Sequence, residues 1–560
     1  MISELLYGYE NMSLKRYDKL DEFPQSVCFD DLANKDLTGV LKANQYVNGK
    51  LQQVYSEFES HVGVIAATRL GKTTSYVIPQ VVSFAKQKIK RSMVISDPKG
   101  EIYRLLAAFL KEQGYRVILL NFRDYAHSEC WNMLTPIFRK YRAAVDTEKE
   151  VTLTITENGP RNVFRGQVYD DQKELLNDVG HVKNMMLDDV ANDIDNIGTM
   201  MVSVRKRDDP YWEEAARDVL KAFLWAMLED SDPTKGIHAI TEYTFSFSTI
   251  LSILATFKDG DGTYYDDRGY FSSRDVNARS YVLAKNTILE NGRPTRKCIM
   301  GALNTKLATF RESSARTITS CNSFEMSELS DCPTVVFINY RDEIKSHYQL
   351  ISLFVQDAYR YLIEQAGKNP NGKLNSPFYF ILDEFGNFPA IKDFETTISA
   401  CAGRNIFFML IIQSYAQLNS VYGDDVAEII RDNLNIHVFF GSNNPNTLQE
   451  FSRECGEYTR ISPLSALNGT SANVEQYQIE TIPLVPKSML SCIKPGECIV
   501  TEANCGYVMF SKLERYYLCK EFSNFEMSME TDYYCRINPF DDKYVYNMPP
   551  MRSVRSSGWF

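Results

Sequence analysis

The chain has 560 residues, with 61 Lys and Arg against 72 Asp and Glu, for a formal net charge of −11. Its 44% hydrophobic and 24% charged shares are those of an ordinary globular protein, and 28 Gly with 20 Pro exclude collagen-like and low-complexity chains. The acidic balance excludes a protein that coats nucleic acid with its whole surface, but not one with a local basic channel. Length alone suggests about three to four domains.

Residues 1–60 are polar and mixed, without a strong period, and are predicted as a leader segment. The start lacks a basic region followed by an apolar one, so no secretory signal is expected. The longest apolar runs, Phe378–Leu382 and Ile406–Ile412, fall short of the ~18–20 residues of a membrane span. A cytoplasmic protein is therefore expected.

From His61 an α/β rhythm begins. Val62–Ile65 reads as a buried strand, followed by a Gly-Lys-Thr turn and a helix through Phe84. Met93–Ile95 is a second strand. Ile102, Leu105, Leu106, Phe109 and Leu110 then form one helix face, and Gly114 ends that helix. Arg116–Leu120 is a third strand. Strand and helix alternating over short joints predict a parallel sheet with helices on both faces. Around Tyr141 the rhythm stops. Residues 175–325 read as helical, most clearly Tyr211–Leu228, with weaker helices at Thr249–Phe257 and Cys298–Phe310. Strands resume at Thr334–Asn339, Phe378–Leu382, Ile406–Ile412, Ile436–Phe440 and Glu497–Thr501. The expected organisation is a leader (1–60), an α/β domain in two pieces (61–174 and 326–515), an inserted all-α domain (175–325) and a tail (516–560).

The 12 cysteines form no C-x-x-C pair; the closest group, Cys492, Cys498 and Cys505, is spaced by six and seven residues. Reduced buried thiols are expected rather than a zinc site. The six histidines form no metal-binding pattern. Basic clusters at Lys86–Arg91, Arg139–Arg142, Arg205–Arg207 and Arg293–Lys297 read as solvated faces.

The segment Ala66-Ala67-Thr68-Arg69-Leu70-Gly71-Lys72-Thr73 is a G-x-x-x-x-G-K-[ST] phosphate loop with Ala at the first Gly. A buried strand precedes it and a helix follows. Ala67, Thr68, Arg69, Gly71, Lys72, Thr73 and Thr74 are the candidate nucleotide contacts. Backbone N–H groups and the helix N-terminus would face the phosphates. Lys72 would reach the β- and γ-phosphates, and Thr73 would ligate Mg²⁺. Phe378–Leu382 carries Asp383 and Glu384 at its carboxyl end, where ligands of open α/β sheets bind. Asp383 is assigned to the Mg²⁺ shell and Glu384 to the general base acting on water. Gln413, ending Ile406–Ile412, is placed to contact the γ-phosphate or the water. Arg404, before the same strand, is the candidate cation for a neighbouring subunit.

These residues resemble the type IV secretion coupling proteins, the TraG/TraD-type conjugation ATPases. The likeness rests on the loop with Thr68-Arg69 and Ile78-Pro79, on Ser96-Asp97-Pro98-Lys99-Gly100-Glu101, and on Leu382-Asp383-Glu384-Phe385-Gly386-Asn387. It continues in Gln413-Ser414-Tyr415-Ala416-Gln417-Leu418 and in Phe440-Gly441-Ser442-Asn443-Asn444-Pro445 with Thr447. The matches run in the family's order from about residue 60 to 515. The resemblance implies a RecA-like P-loop motor with an inserted all-α domain, working as a homo-hexamer on ATP and Mg²⁺. It implies single- or double-stranded DNA, relaxase or relaxosome proteins and membrane secretion-channel proteins as partners. Two departures stand out. Members usually begin with transmembrane helices, and none is visible here, so contact with the inner face of the membrane would run through a partner. The family's Arg eleven residues before the glutamine is Ala402, with Arg404 nearby. A nucleotide-gated receptor with little pumping, and a related ring DNA translocase, are the alternative readings.

Overall fold

The structure, a computed structural model, describes residues 13–16 (backbone only), 25–156, 159–202, 210–234, 239–257, 266–463, 477–503, 505, 507–522 and 525–533. The chain divides into two compact units. One comprises the described residues up to 121 with those of 326–533, and the other the described residues of 122–325.

The first unit is built on a ten-stranded sheet. In chain order its strands are β1 (Ser13–Arg16), β2 (Val62–Ala66), β3 (Ser92–Asp97), β4 (Arg116–Asn121), β5 (Thr334–Asn339), β6 (Phe378–Leu382), β7 (Ile406–Ile412), β8 (Ile436–Gly441), β9 (Glu497–Glu502) and β10 (Tyr507–Lys512). Across the sheet the order is β1-β10-β9-β8-β2-β7-β6-β3-β5-β4. From β8 to β4 every pairing is parallel; β9 is antiparallel to both β8 and β10. The expected strands are thus present, and the sheet is mostly parallel.

Both faces of the central strands are covered, which is why they read as unbroken apolar runs. On one face Tyr379 and Phe407 stack at 5.2 Å, and Phe84 of helix Ile78–Lys86 lies 4.7 Å from Tyr379. On the other face Phe380 and Phe408 stack at 4.9 Å, and Phe394 of helix Phe394–Cys401 meets Phe408 edge-on at 5.1 Å. His61 pins β2 to this core. Its Nδ1 accepts the Phe408 N–H at 2.9 Å, and burial pulls its pKa down to about 4, so the ring is neutral.

The segment expected as a leader contains a three-stranded antiparallel sheet, Ser26–Cys28, Lys50–Tyr55 and Leu41–Val47. Its alternation is hidden because polar side chains face inward. Gln53 donates to Asn44 Oδ1 at 3.0 Å and accepts from Tyr55 at 2.7 Å, both wholly buried. The Leu41 N–H donates to Gln80 Oε1 at 2.7 Å, joining this sheet to helix Ile78–Lys86. The described part of the expected tail also packs on this unit. Cys519 and Phe522 are buried, and Phe522 meets Phe29 at 5.2 Å.

In the second unit the described part of residues 175–325 is mainly helical, with turns and coil between the helices. The unit begins earlier than 175, however, at Phe122. Helix Thr135–Val145 and a three-stranded antiparallel sheet, Thr152–Thr156, Gly159–Phe164 and Gln167–Tyr169, belong to it. Phe164 and Tyr169 form a small core with Leu175 and Val179 of helix Gln172–Met201. That three-stranded sheet was invisible to the sequence reading because Leu153 and Val168 point outward, which blurs the period.

The basic clusters are mostly paired. Arg91 is wholly buried, with Nη2 at 2.5 Å from Glu59 Oε1, which corrects its reading as a solvated residue. Arg139 pairs with Glu242 and Glu325, Lys140 with Asp193, and Arg296 with Asp267. Residues 205–207 lie outside the described residues. The eleven described cysteines are free; Cys298, Cys332 and Cys492 are exposed rather than buried. Among the described residues no cluster of His, Cys, Asp and Glu could hold a metal on its own, and no helix is long and apolar enough to cross a membrane.

Candidate functional site

The loop after β2 wraps the first turn of the following helix. Gly71 has φ 92° and Arg69 φ 69°, so the left-handed positions fall there. Ala66 is not among the residues with positive φ, and it ends β2 beside Gly441. The missing first glycine therefore costs the backbone nothing. The Ala67 N–H donates to Gly441 O at 2.9 Å, which seats the loop on the end of β8. Lys72–Val77 is wound as a π-helix before the α-helix starts at Ile78. Thr68 and Arg69 are exposed, and the Thr74 hydroxyl turns back to Gly71 O at 3.2 Å.

Strand order explains how distant segments meet. β7 lies between β2 and β6, so Gln413 at its end stands between the loop and the acid pair. Lys72 Nζ lies 2.7 Å from Asp383 Oδ1 and 2.5 Å from Glu384 Oε1. Gln413 Nε2 donates to Glu384 Oε2 at 2.9 Å. Thr73 Oγ1 lies 3.5 Å from Asp383 Oδ2. Burial alone would lower the Lys72 pKa, but the two carboxylates outweigh it and hold the ammonium charged. Burial pushes the Asp383 carboxyl up, against the pull of Lys72.

The residues fit Mg²⁺. Two hard oxygens, a hydroxyl and a carboxylate, face each other, and Mg²⁺ is held by few protein ligands together with phosphate and water. A larger all-protein cage is neither needed nor found among the described residues.

Arg404 does not join this cluster. It precedes β7, whose far end carries Gln413, and seven strand residues at ~3.3 Å each put the two ends roughly 23 Å apart. Its Nη1 donates to Ala400 O at 2.9 Å.

Several supporting residues, some of them inside the motifs quoted above, were given no role by the sequence reading. Ser96 Oγ and Tyr340 Oη donate to Asp383 O at 3.1 and 3.4 Å. Glu384 has φ 55°, a left-handed turn that aims its side chain back at Lys72. Gln417 Oε1 accepts the Gln413 N–H at 3.0 Å, and Ser442 Oγ donates to Gln413 O at 3.2 Å. Asn444 caps helix Pro445–Glu454, whose Thr447 hydroxyl accepts the Tyr415 N–H at 3.1 Å. The segments Gln413–Leu418 and Phe440–Thr447 are therefore one hydrogen-bonded unit. Their side-chain amides and hydroxyls were the available signal. Asp97 is buried, and its Oδ2 accepts the Tyr103 N–H at 2.9 Å, closing the turn that starts helix Glu101–Glu112.

Sheet order, phosphate loop and acid pair define a RecA-like P-loop fold. The family described as "Type IV secretory system Conjugative DNA transfer" matches residues 26–512, and the chain belongs to it as a type IV coupling protein. The chain is 21% identical to Protein VirD4 of Agrobacterium fabrum (strain C58 / ATCC 33970) over 404 residues, 72% of this chain and 50% of that protein. It is 21% identical to Conjugal transfer protein TraG of Escherichia coli over 466 residues, 81% of this chain and 63% of that protein. The chain spans about half the length of the VirD4 proteins it matches. Plasmid coupling protein TrwB in complex with the non-hydrolysable analogue GDPNP superposes with a TM-score of 0.56 at 14% identity, covering 92% of this chain and 97% of that one. TrwB in complex with ADP and Mg²⁺ gives a TM-score of 0.54 at 15% identity over 88% and 94%. At these identities the likeness shows the fold.

Proposed function

We propose that the chain is a Mg²⁺-dependent ATPase that recruits DNA, or a relaxase–DNA complex, and drives it to a type IV secretion channel. The observation that carries this reading is the convergence of Lys72, Asp383, Glu384 and Gln413 from three parallel strands. Lys72 and the loop N–H groups bind the β- and γ-phosphates; Thr73 and Asp383 hold Mg²⁺, which supplies charge neutralisation on the phosphate oxygens. Glu384 accepts a proton from water as the water oxygen bonds to the γ-phosphorus. The bond between that phosphorus and the β–γ bridging oxygen breaks, and ADP leaves with the electron pair. Gln413 orients Glu384 and passes the state of the site to Ser442 and, through Gln417, to helix Tyr415–Tyr422.

The working assembly is a homo-hexamer, in which Arg404 reaches the site of a neighbouring subunit. Its distance from the site of its own chain is the reason for assigning it there. TrwB, which shares this fold, is described in complexes with ADP and Mg²⁺ and with nucleotide analogues, which supports the cofactor assignment. The protein works at the inner face of the membrane, attached there through a channel component. DNA contacts go to phosphates and weaken with salt.

The test is ATP turnover with and without Mg²⁺, and with single- and double-stranded DNA. Mg²⁺-dependent turnover stimulated by DNA supports the proposal. Tight nucleotide binding with no turnover under any of these conditions contradicts it and leaves the nucleotide-gated receptor.

A further inference from the structure

We infer that Arg515–Lys520 seats the purine nucleoside end of the nucleotide whose phosphates the Ala67–Thr74 loop holds. This rests on the nucleotide-binding reading above. These residues lie just beyond those that the family match covers.

After β10 the chain forms a short 3-10 turn, Tyr516–Leu518, beside Lys72–Val77. A Cβ on Gly71 would lie 3.8 Å from Arg515 Nε, so this guanidinium stands at the loop itself. Arg515 Nη1 donates to Tyr517 Oη at 2.6 Å, and the guanidinium lies 5.9 Å from the centre of that ring. Tyr517 in turn borders a groove of about 470 Å³ lined by Tyr46, Gly49, Tyr517, Leu518, Cys519 and Lys520. From phosphate loop to groove there is thus a continuous path: glycine, guanidinium, phenol, apolar wall.

That gradient suits a nucleotide. The phosphate end needs N–H donors and positive charge, and the base needs a flat apolar surface. Tyr517 is 51% exposed and Leu518 61% exposed, so an aromatic and an aliphatic side chain stand open to a ligand side by side. Arg515 is close enough to the loop to meet the α-phosphate or ribose while it orients the Tyr517 ring.

The platform is held in place without a ligand. The Glu514 N–H donates to Asn44 O at 2.8 Å, and the Leu513 N–H donates to Gly496 O at 2.8 Å. The Lys520 N–H donates to Tyr46 Oη at 3.0 Å, and Phe522 is buried against Phe29. The sheet of residues 26–55 therefore serves as the base on which this wall is built, and preorganisation lowers the cost of binding. Stacking is tolerant of the face it meets, so the site takes ATP and GTP alike.

The test measures binding of ADP and of inorganic tripolyphosphate to the full chain by calorimetry. Wild type, Tyr517→Ala, Tyr517→Phe and Lys72→Ala are compared. Tyr517→Ala weakens ADP by about tenfold and leaves tripolyphosphate unchanged, while Tyr517→Phe stays within about twofold for both. Lys72→Ala weakens both ligands. If Tyr517→Ala leaves ADP binding intact, or weakens both ligands equally, the nucleoside subsite is overturned and the phosphate reading stands. If wild type binds neither ligand, both fall together.

Discussion

Lys72 Nζ and Glu384 Oε1 lie 2.5 Å apart although 312 residues separate them in the chain. The contact exists because β2 and β6 flank β7 and end on the same edge of the sheet. Asp383 shares the same ammonium at 2.7 Å. Lys72→Ala leaves the buried Asp383 and the half-buried Glu384 beside it without their counter-charge. It is expected to weaken nucleotide binding and to cost about 3 kcal/mol of stability, read by calorimetry and by urea unfolding. A neutral effect on both would contradict the pairing.

Gln413 holds Glu384 through one amide N–H and is itself held by Gln417 and Ser442. Gln413→Ala is predicted to lower kcat by roughly 10- to 100-fold with little change in nucleotide affinity. Ser442→Ala removes the bond to the Gln413 carbonyl and the one accepted from the Asn444 N–H, touches neither Glu384 nor the Gln413 side chain, and should lower kcat less. Steady-state rates and equilibrium binding separate the two effects.

Asp97 gives a pH signature. Burial pushes its carboxyl up to about 7, opposed by the N–H groups of Tyr103 and Ile102 and reinforced by nearby Asp383. In an unfolded chain the group titrates near ~3.9. Between those values the folded state binds the extra proton, so its contribution to stability falls as pH rises from about 4 to about 7 and is level above. Asp97→Asn removes this fall. The variant's Tm advantage over wild type should grow from pH 5 to pH 8, by about a few degrees. A constant difference across that range would contradict the assignment.

Gly100 has φ 69°, and a Cβ there would lie 2.0 Å from Glu530 Oε1. Glu530 also binds Asn339 Nδ2 and Arg104 Nη1, each at 3.1 Å. Gly100→Ala is expected to cost about 1–3 kcal/mol through strain and displacement of Glu530. Glu530→Ala in the same chain should recover part of this, leaving the φ cost. Denaturant unfolding of the single and double variants checks it.

The chemistry-bearing segments were legible because each sits where a strand ends and a loop begins. Phe378–Leu382 followed by Asp383-Glu384 announces both a doubly covered strand and a polar edge. The same holds for Ile406–Ile412 with Gln413. What stayed hidden was structure whose interior is polar or whose exterior is apolar. Buried Gln53 and Asn44 disguised the sheet of residues 26–55, and outward Leu153 and Val168 disguised Thr152–Tyr169. The supporting bonds of Ser96, Tyr340 and Ser442 join segments far apart in the chain. Only the strand order brings them together. The same is true of Arg515, which reads as the last residue of the α/β domain in the chain and stands beside Gly71 in the fold.

The most direct measurement is ATP hydrolysis by Glu384→Gln under saturating Mg²⁺ and ATP, with binding followed in parallel. The account predicts that ATP still binds, because Lys72 keeps Asp383 as a partner, while turnover falls by about 10²–10⁴-fold. Turnover at the wild-type rate in this variant would contradict it.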